Sequence, residues 1–281
     1  MSTRLDAALV QRGLAPSRTQ AQLLVRDGRV RVDGSPVRRP GTPVGDGQEV
    51  VLDDADEGAA SAWVSEGWVG RGALKLRHAL QEWAPQGLTV TGRRCLDVGA
   101  STGGFTQALL AAGAASVLAL DVGHDQLHHD LRDDPRVRDL SGTSIRDTVP
   151  GTVGGPVDVV VGDLSFISLR TVLPVLATLT APDGQLVLLV KPQFEVGRAG
   201  LPRDGVVRSP EQRHQVLQAV LATADEVGLT LHGILRSPLT GSHGNVEYLL
   251  WLRPRRTDMI GWGLTPEAVH DRLAALREEE A

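Results

Sequence analysis

Two lysines and two carboxylates stand where this sequence otherwise reads as buried strand. Lys191 directly follows the apolar run of "LVLLVKPQFE", and Asp163 follows the run of "VVVGDLSFIS". Glu247 interrupts the apolar neighbours of "SHGNVEYLLWL" and is expected inside a late strand; Lys75 lies earlier, in "GRGALKL". An unpaired ammonium is costly to bury, so a lysine at the end of a buried strand needs carboxylates beside it. A lysine with a lowered pKa can accept a proton, and one that stays charged can stabilise a developing oxyanion. Lys75, Asp163, Lys191 and Glu247 are therefore the candidate catalytic set. Taken singly, each could equally be half of a surface ion pair.

A second constellation surrounds a turn. "CLDVGASTGGFTQALL" passes from an apolar run through Asp97 into Gly99, Ser101, Gly103 and Gly104, then into a helix-like run opened by Phe105. The turn lacks the second glycine of G-x-G-x-x-G, and no lysine follows Gly104, so neither a dinucleotide site nor a phosphate loop is indicated. Asp97 flanks it and Asp121 ends the next apolar run. A carboxylate can accept two hydrogen bonds from ribose hydroxyls. Acids around a glycine turn suit a cationic cofactor carrying a ribose, and S-adenosylmethionine is one. The competing reading is a tight strand-to-helix turn without a ligand.

The elements that must position these groups follow from periodicity. "RCLDVG", "SVLALDVG", "VDVVVGD" and "QLVLLVKP" are short Val- and Leu-rich runs separated by helical stretches, and "ILRSPLTGSHGNVEYLLWL" reads as a late hairpin. This predicts an α/β fold with a mainly parallel, Rossmann-like sheet covered on both faces, with ligands beyond the carboxyl ends of the strands. "TPEAVHDRLAALREEE" reads as a capped amphipathic helix with Val269, Leu273 and Leu276 on its apolar stripe.

Ahead of this region the composition changes. Residues 1–52 hold eight arginines, no lysine and five carboxylates, whereas the whole chain of 281 residues has a net charge of -5. "RLDAALVQRGL" predicts a helix with Leu5, Leu9 and Val10 on one face, stopped at Gly13. Ser17 and Gln20 have capping-box spacing for a second helix ending at Gly28, and "RVRVDGSPV" predicts a hairpin turning at Asp33-Gly34. Arg4, Arg18, Arg29, Arg31 and Arg39 are candidate RNA contacts of this small α+β module, because phosphate contacts dominate nucleic-acid affinity; a solvated basic face is the competing reading of the same charge. The acidic "DDADEGAA" reads as a linker, which sets the domains at 1–52 and 68–281 with 53–67 between them. Trp63 and Trp68 beside it are candidates for base stacking or for packing between domains. One cysteine, Cys95, and no signal-like or membrane-length apolar run predict a soluble cytoplasmic protein. Cys95 reads as core, and His124, His128 and His129 match no zinc spacing, so no metal is expected.

Together these motifs resemble known proteins. Residues 4–52 resemble the S-four domain, a small RNA-binding module of a ribosomal protein. Lys75, Asp163, Lys191 and Glu247 match the Lys-Asp-Lys-Glu tetrad of FtsJ-type ribose 2′-O-methyltransferases. With "GRGALKL", "DVGASTGGFT", "DLSFISL", "VKPQFEVG" and "GNVEYLLWL", nearly the whole chain is similar to the TlyA family, sometimes labelled haemolysin A. The resemblance implies methylation by S-adenosylmethionine of cytidine 2′-hydroxyls in ribosomal RNA of the small or large subunit, by a monomer acting on ribosomal subunits and not on membranes. It adds Ser144 to the cofactor contacts, where relatives usually carry Asn, and places Ser61 where they carry Arg. In the implied mechanism Lys191 is the base, oriented by Asp163 and Glu247, with Lys75 steering the ribose; a fixed-cation role for Lys191 is the alternative. A base methyltransferase would carry a catalytic cysteine or an Asn/Asp-Pro-Pro-aromatic clamp where this chain has "DLSF". A pore former would need an insertion segment, and a mere RNA-binding module would not need the tetrad.

Overall fold

The computed structural model describes residues 2–15, 18–26, 28, 30–52, 66–241, 244–256, 258 and 262–279. The chain divides into two compact units, residues 1–70 and 71–281.

In the first unit, β1 (Ser2–Arg4) leads into α1 (Leu5–Gln11), followed by α2 (Arg18–Arg26), β2 (Val30–Val32), β3 (Ser35–Val37), β4 (Pro43–Gly45) and β5 (Val50–Leu52). β2 lies between β3 and β5, antiparallel to both, and β1 pairs with β4. Asp33 and Gly34 both adopt positive φ, 50° and 75°, the geometry of a tight hairpin turn. Leu5, Leu9, Ala21, Val25, Val30 and Val44 form the core, while Val10 faces outward. The Ser17–Gln20 cap lies outside the described residues.

The second unit is built on one seven-stranded sheet. After α3 (Gly72–Trp83) come β6 (Arg94–Val98), α4 (Gly104–Ala111), β7 (Ser116–Asp121), β8 (Val137–Ser141) and β9 (Val157–Gly162). α5 (Leu169–Leu179), β10 (Thr180–Val190), α6 (Pro210–Glu226), β11 (Leu229–Arg236), β12 (Tyr248–Pro254) and α7 (Pro266–Glu278) complete it. The strand order is β11-β12-β10-β9-β6-β7-β8. The pairs from β10 to β8 are parallel, and β12 is antiparallel to both its neighbours.

The sheet is mainly parallel and Rossmann-like. Its central strands are mainly apolar, with Asp97 in β6 and Gln185 in β10 among the buried exceptions, because helices cover both faces. One core joins Leu96, Val160 and Leu188 from the strands to Leu173 of α5 and Val220 of α6, and takes in Leu273 and Leu276 of α7. Order reverses between β6 and β9, the place where open α/β sheets leave a crevice beyond the strand ends. Among the described residues no helix is long and apolar enough to cross a membrane.

Candidate active site at the carboxyl ends of the strands

Three strand ends open onto this crevice through backbone that side chains rarely adopt. Among the described residues four non-glycines have positive φ, and three of them, Ser101, Asp125 and Phe166, lie in the loops after β6, β7 and β9. Such conformations persist where the surroundings over-determine them, and they cluster at functional sites.

The loop after β6 is held close to the next strand end. Gly99 has φ of 83°, and a Cβ there would stand 3.0 Å from the Asp163 carbonyl oxygen, so a side chain is excluded by backbone. Gly103 requires a different explanation from close approach of a ligand. It has φ of 96°, and a Cβ there would run into Leu127 and Leu131, so its bare backbone serves internal packing. Gly104 opens α4, and Phe105 is buried. A Cβ on Gly72 would meet the Phe105 ring at 3.4 Å and Asp163 Oδ2 at 3.5 Å, so the first turn of α3 lies against both.

The two acids differ. Asp121 is already engaged: Oδ2 accepts from the Ser101 amide at 2.9 Å and Oδ1 from the Gly123 amide at 2.7 Å. Asp97 is fully buried; Oδ2 accepts from Thr106 Oγ1 at 2.7 Å, and Oδ1 has no hydrogen-bond partner among the described residues. Burial pushes the Asp97 carboxyl up to about 7, with Asp163 and Asp121 adding to the shift and Thr106 opposing it. An orphaned buried carboxylate oxygen beside a strand-end turn is a place for a cationic donor. Ser144 caps a short turn, its hydroxyl accepting from the Arg146 amide at 3.2 Å. Sequence reasoning passed over Val122, the apolar side chain directly after Asp121, which is 68% exposed.

The lysines and carboxylates pair differently from the expectation. Lys75, on α3, donates to Glu247 Oε2 at 2.5 Å, and the two are 3% and 2% exposed. Lys191 lies 2.6 Å from Asp163 Oδ1 and donates to Ser165 Oγ at 2.9 Å. Glu247 thus bonds Lys75 and reaches Lys191 only through its field. It sits one residue ahead of β12, not inside it. Because β12 runs antiparallel, its first residues lie where the parallel strands finish, and this brings Glu247 to the crevice. Burial would lower the Lys191 pKa, but Asp163 and Glu247 outweigh it and the net shift is upward. Burial would raise Asp163, but Lys191, Lys75 and Arg71 hold it down at about 2. Lys191 is therefore a protonated ammonium at neutral pH; it gives a hydrogen bond to Ser165 and pairs with Asp163 by charge, Asp163 Oδ1 having no hydrogen-bond partner among the described residues, so donor capacity remains for a ligand.

A clasp fixes the two loops that carry this pair. Glu195, buried in the turn after Lys191, accepts from Ser168 Oγ at 2.6 Å, from the Leu169 amide at 2.6 Å and from Arg170 Nε at 3.2 Å. It thereby caps α5, which follows the Asp163 loop. Phe166 and Phe194 stack across the same two loops, 5.2 Å between centroids, and Phe166 is 91% exposed. Sequence offered no signal for Phe166 beyond its place in "DLSF".

A family model described as FtsJ-like methyltransferase matches residues 68–254, and an S4 domain model matches residues 3–50. The 16S/23S rRNA (cytidine-2′-O)-methyltransferase TlyA of Mycobacterium tuberculosis is 48% identical over 267 residues, 95% of this chain and 96% of that protein. The chain belongs to the TlyA family. The 23S rRNA (cytidine-2′-O)-methyltransferase TlyA of Campylobacter jejuni is 35% identical over 67% of this chain and 72% of its own length. A solved hemolysin-like structure from Streptococcus thermophilus superposes with a TM-score of 0.70 at 36% identity, covering 99% of this chain and 96% of that one. As a TlyA-family methyltransferase the chain uses S-adenosylmethionine.

Other sequence-marked residues fall outside the crevice. Burial pushes the Cys95 thiol up to about 12, so it is no nucleophile. His128, His129 and Asp130 bring ligand atoms within 4.8 Å of one another, but a His129–Asp130 pair at 2.8 Å accounts for their closeness. In the first unit, Arg4 is forked onto the buried Asp6 at 2.8 and 3.0 Å, and Arg18 lies 3.4 Å from it. Arg31 donates to the Gly34 carbonyl at 3.1 Å and Arg39 is exposed. Trp68 donates to Glu66 at 2.9 Å. Arg29, Ser61 and Trp63 lie outside the described residues.

Proposed function

We propose that this TlyA-family protein methylates the ribose 2′-hydroxyl of a cytidine in ribosomal RNA, as a soluble cytoplasmic monomer working on ribosomal subunits. The observation that carries this reading is the protonated Lys191, held by the Asp163 charge and by Ser165 with donor capacity to spare at the strand-end crevice. The cofactor supplies an electrophilic methyl group on a sulfonium. Asp97, with its unpartnered oxygen, suits the cationic end of that molecule, and Asp121 suits its ribose; Gly99, Ser101, Gly104, Phe105 and Ser144 shape the pocket, and Val122 suits the face of its adenine. Gly103 supports the turn from behind.

The tetrad then acts by position and charge. An N–H of Lys191 not used by Ser165 would orient the 2′-oxygen and stabilise the negative charge that grows on it as its proton passes to solvent water. Lys75 and Glu247 form the buried floor of the site; Glu247 adds to the field at Lys191 and Lys75 to that at Asp163. The exposed Phe166 offers a stacking face to the nucleobase. The first unit, taken as residues 1–52, binds RNA through Arg4, Arg18, Arg29, Arg31 and Arg39; residues 53–67 link it to the catalytic domain of 68–281. Base methylation is disfavoured, since Cys95 is buried and protonated and the loop after β9 carries no proline clamp.

The test incubates the full chain with labelled S-adenosylmethionine and separated small and large ribosomal subunits, then maps the label. Label on a cytidine ribose is the expected result. Label on a base, or none on either subunit, overturns the reading.

A further inference from the structure

Gln126 is a polar side chain that neither the tetrad nor the glycine turn accounts for. It follows Asp125, whose φ of 53° turns the chain back on itself. The turn lays the Gln126 amide hard against Gly123, where a Cβ would overlap it while standing 3.2 Å from Asp121 Oδ1. The same amide reaches across to the loop after β6, with Oε1 3.4 Å from Ser101 Oγ. Ser101, the other partner in this contact, is itself left-handed, and its amide is bonded to Asp121.

Two uncommon backbone conformations on facing loops thus bring one primary amide into the neighbourhood of the Asp121 carboxylate. Among the described residues the Gln126 amide nitrogen donates to no protein group. An amide brings a donor and an acceptor to the same place. A vicinal diol needs acceptors for its two O–H groups and can accept in return, and Asp121 alone supplies only acceptors. We infer that Gln126 reads the ribose of the methyl donor together with Asp121, its amide accepting from or donating to a ribose hydroxyl across the gap between the loops after β6 and β7. This rests on the cofactor site proposed above.

The probes are S-adenosylhomocysteine and its 2′-deoxy and 3′-deoxy ribose analogues, titrated calorimetrically into the full chain. Gln126→Met keeps the volume and removes both polar atoms; Gln126→Ala is a second variant should the first perturb the fold. One neutral hydrogen bond corresponds to about 3- to 10-fold in affinity. Both variants should bind S-adenosylhomocysteine weaker by about that factor while binding one deoxy analogue as the parent does, so that discrimination at that hydroxyl shrinks. Unchanged affinity for S-adenosylhomocysteine, or an equal loss for all three ligands, overturns the inference. Failure of the parent itself to bind S-adenosylhomocysteine would instead overturn the cofactor site on which it rests.

Discussion

Replacing Lys75 by methionine removes one partner of a pair sealed from solvent. Lys75 and Glu247 are 3% and 2% exposed and 2.5 Å apart. Removing the ammonium leaves the carboxylate buried without its counter-charge, which costs about 3–5 kcal/mol when such a pair is broken. Little space exists for Glu247 to turn away, because a Cβ on Gly241 would overlap its carboxyl group. Removing both charges avoids the penalty, since apolar or neutral replacements of buried pairs are often close to neutral. Lys75→Met should therefore lower the unfolding free energy by about 3–5 kcal/mol. The double variant Lys75→Met/Glu247→Gln should recover most of that loss. Activity should follow the opposite rule. The single variant loses the Lys75 ammonium from the floor of the site and the double variant also loses the Glu247 field at Lys191, so single-turnover methyl transfer should fall by about 10²-fold or more in each, by analogy with the loss of one preorganised electrostatic group. Urea unfolding with a common slope measures the first quantity, and quenched-flow methylation of ribosomal RNA the second. Equal stability of the single and double variants would show that the pair is not held as buried charges. Full activity in the double variant would remove it from the catalytic set.

Lys191→Arg should keep transfer within about tenfold while Lys191→Ala loses roughly 10²–10⁴-fold; a parent rate that climbs steadily from pH 7 to 9 would restore Lys191 as a base. Its raised pKa means that its stabilising charge is complete below the ordinary lysine value and is lost as pH rises through the raised one, so the parent profile should be flat over that range. Asp97, raised to about 7, gives the ligand-free protein stability that is complete below its ordinary value of 3.8 and lost as pH rises through about 7. Cofactor affinity should accordingly strengthen from pH 6 to 8 with release of a proton, and Asp97→Asn should abolish that dependence; calorimetry in buffers of different ionisation enthalpy reads both. Arg4→Ala with Arg18→Ala should weaken RNA binding and flatten its salt dependence. The same change strips the buried Asp6 of its guanidinium partners, so melting temperature is measured alongside, and an unaltered salt slope in a folded variant would remove both arginines from the interface.

Much of this architecture was legible because burial leaves a direct trace in composition. β6, β7, β9 and the second half of β10 are rich in apolar residues, as two-sided coverage demands, and Asp163 and Lys191 are conspicuous because each follows such a run. β8, "VRDLS", leaves no such trace: it is the edge strand, with exposed Arg138 and Asp139 facing out. The partnership of the charges was not legible either. Four residues spread from 75 to 247 carry no spacing that says which carboxylate meets which lysine; that follows from the antiparallel insertion of β12 between β10 and β11, a property of strand order. Nothing in the sequence separates a glycine hemmed in by its own protein's leucines, as Gly103 is, from one cleared for a ligand. Phe166 and Gln126 escaped notice because backbone handedness at a non-glycine has no sequence signature.

The place of β12 also dictates when this protein can first become active. β11 precedes β12 in the chain yet can join the sheet only on the far side of it, so neither strand is seated until residues near 254 are available. The Lys75–Glu247 contact spans 172 residues, a separation that delays its formation relative to local structure. A nascent chain emerging from its own ribosome can build β6 to β10 and the whole glycine turn while Lys75 still lacks its carboxylate. A chain cut between β10 and β12 would therefore keep the glycine turn but lack the carboxylate that Lys75 needs.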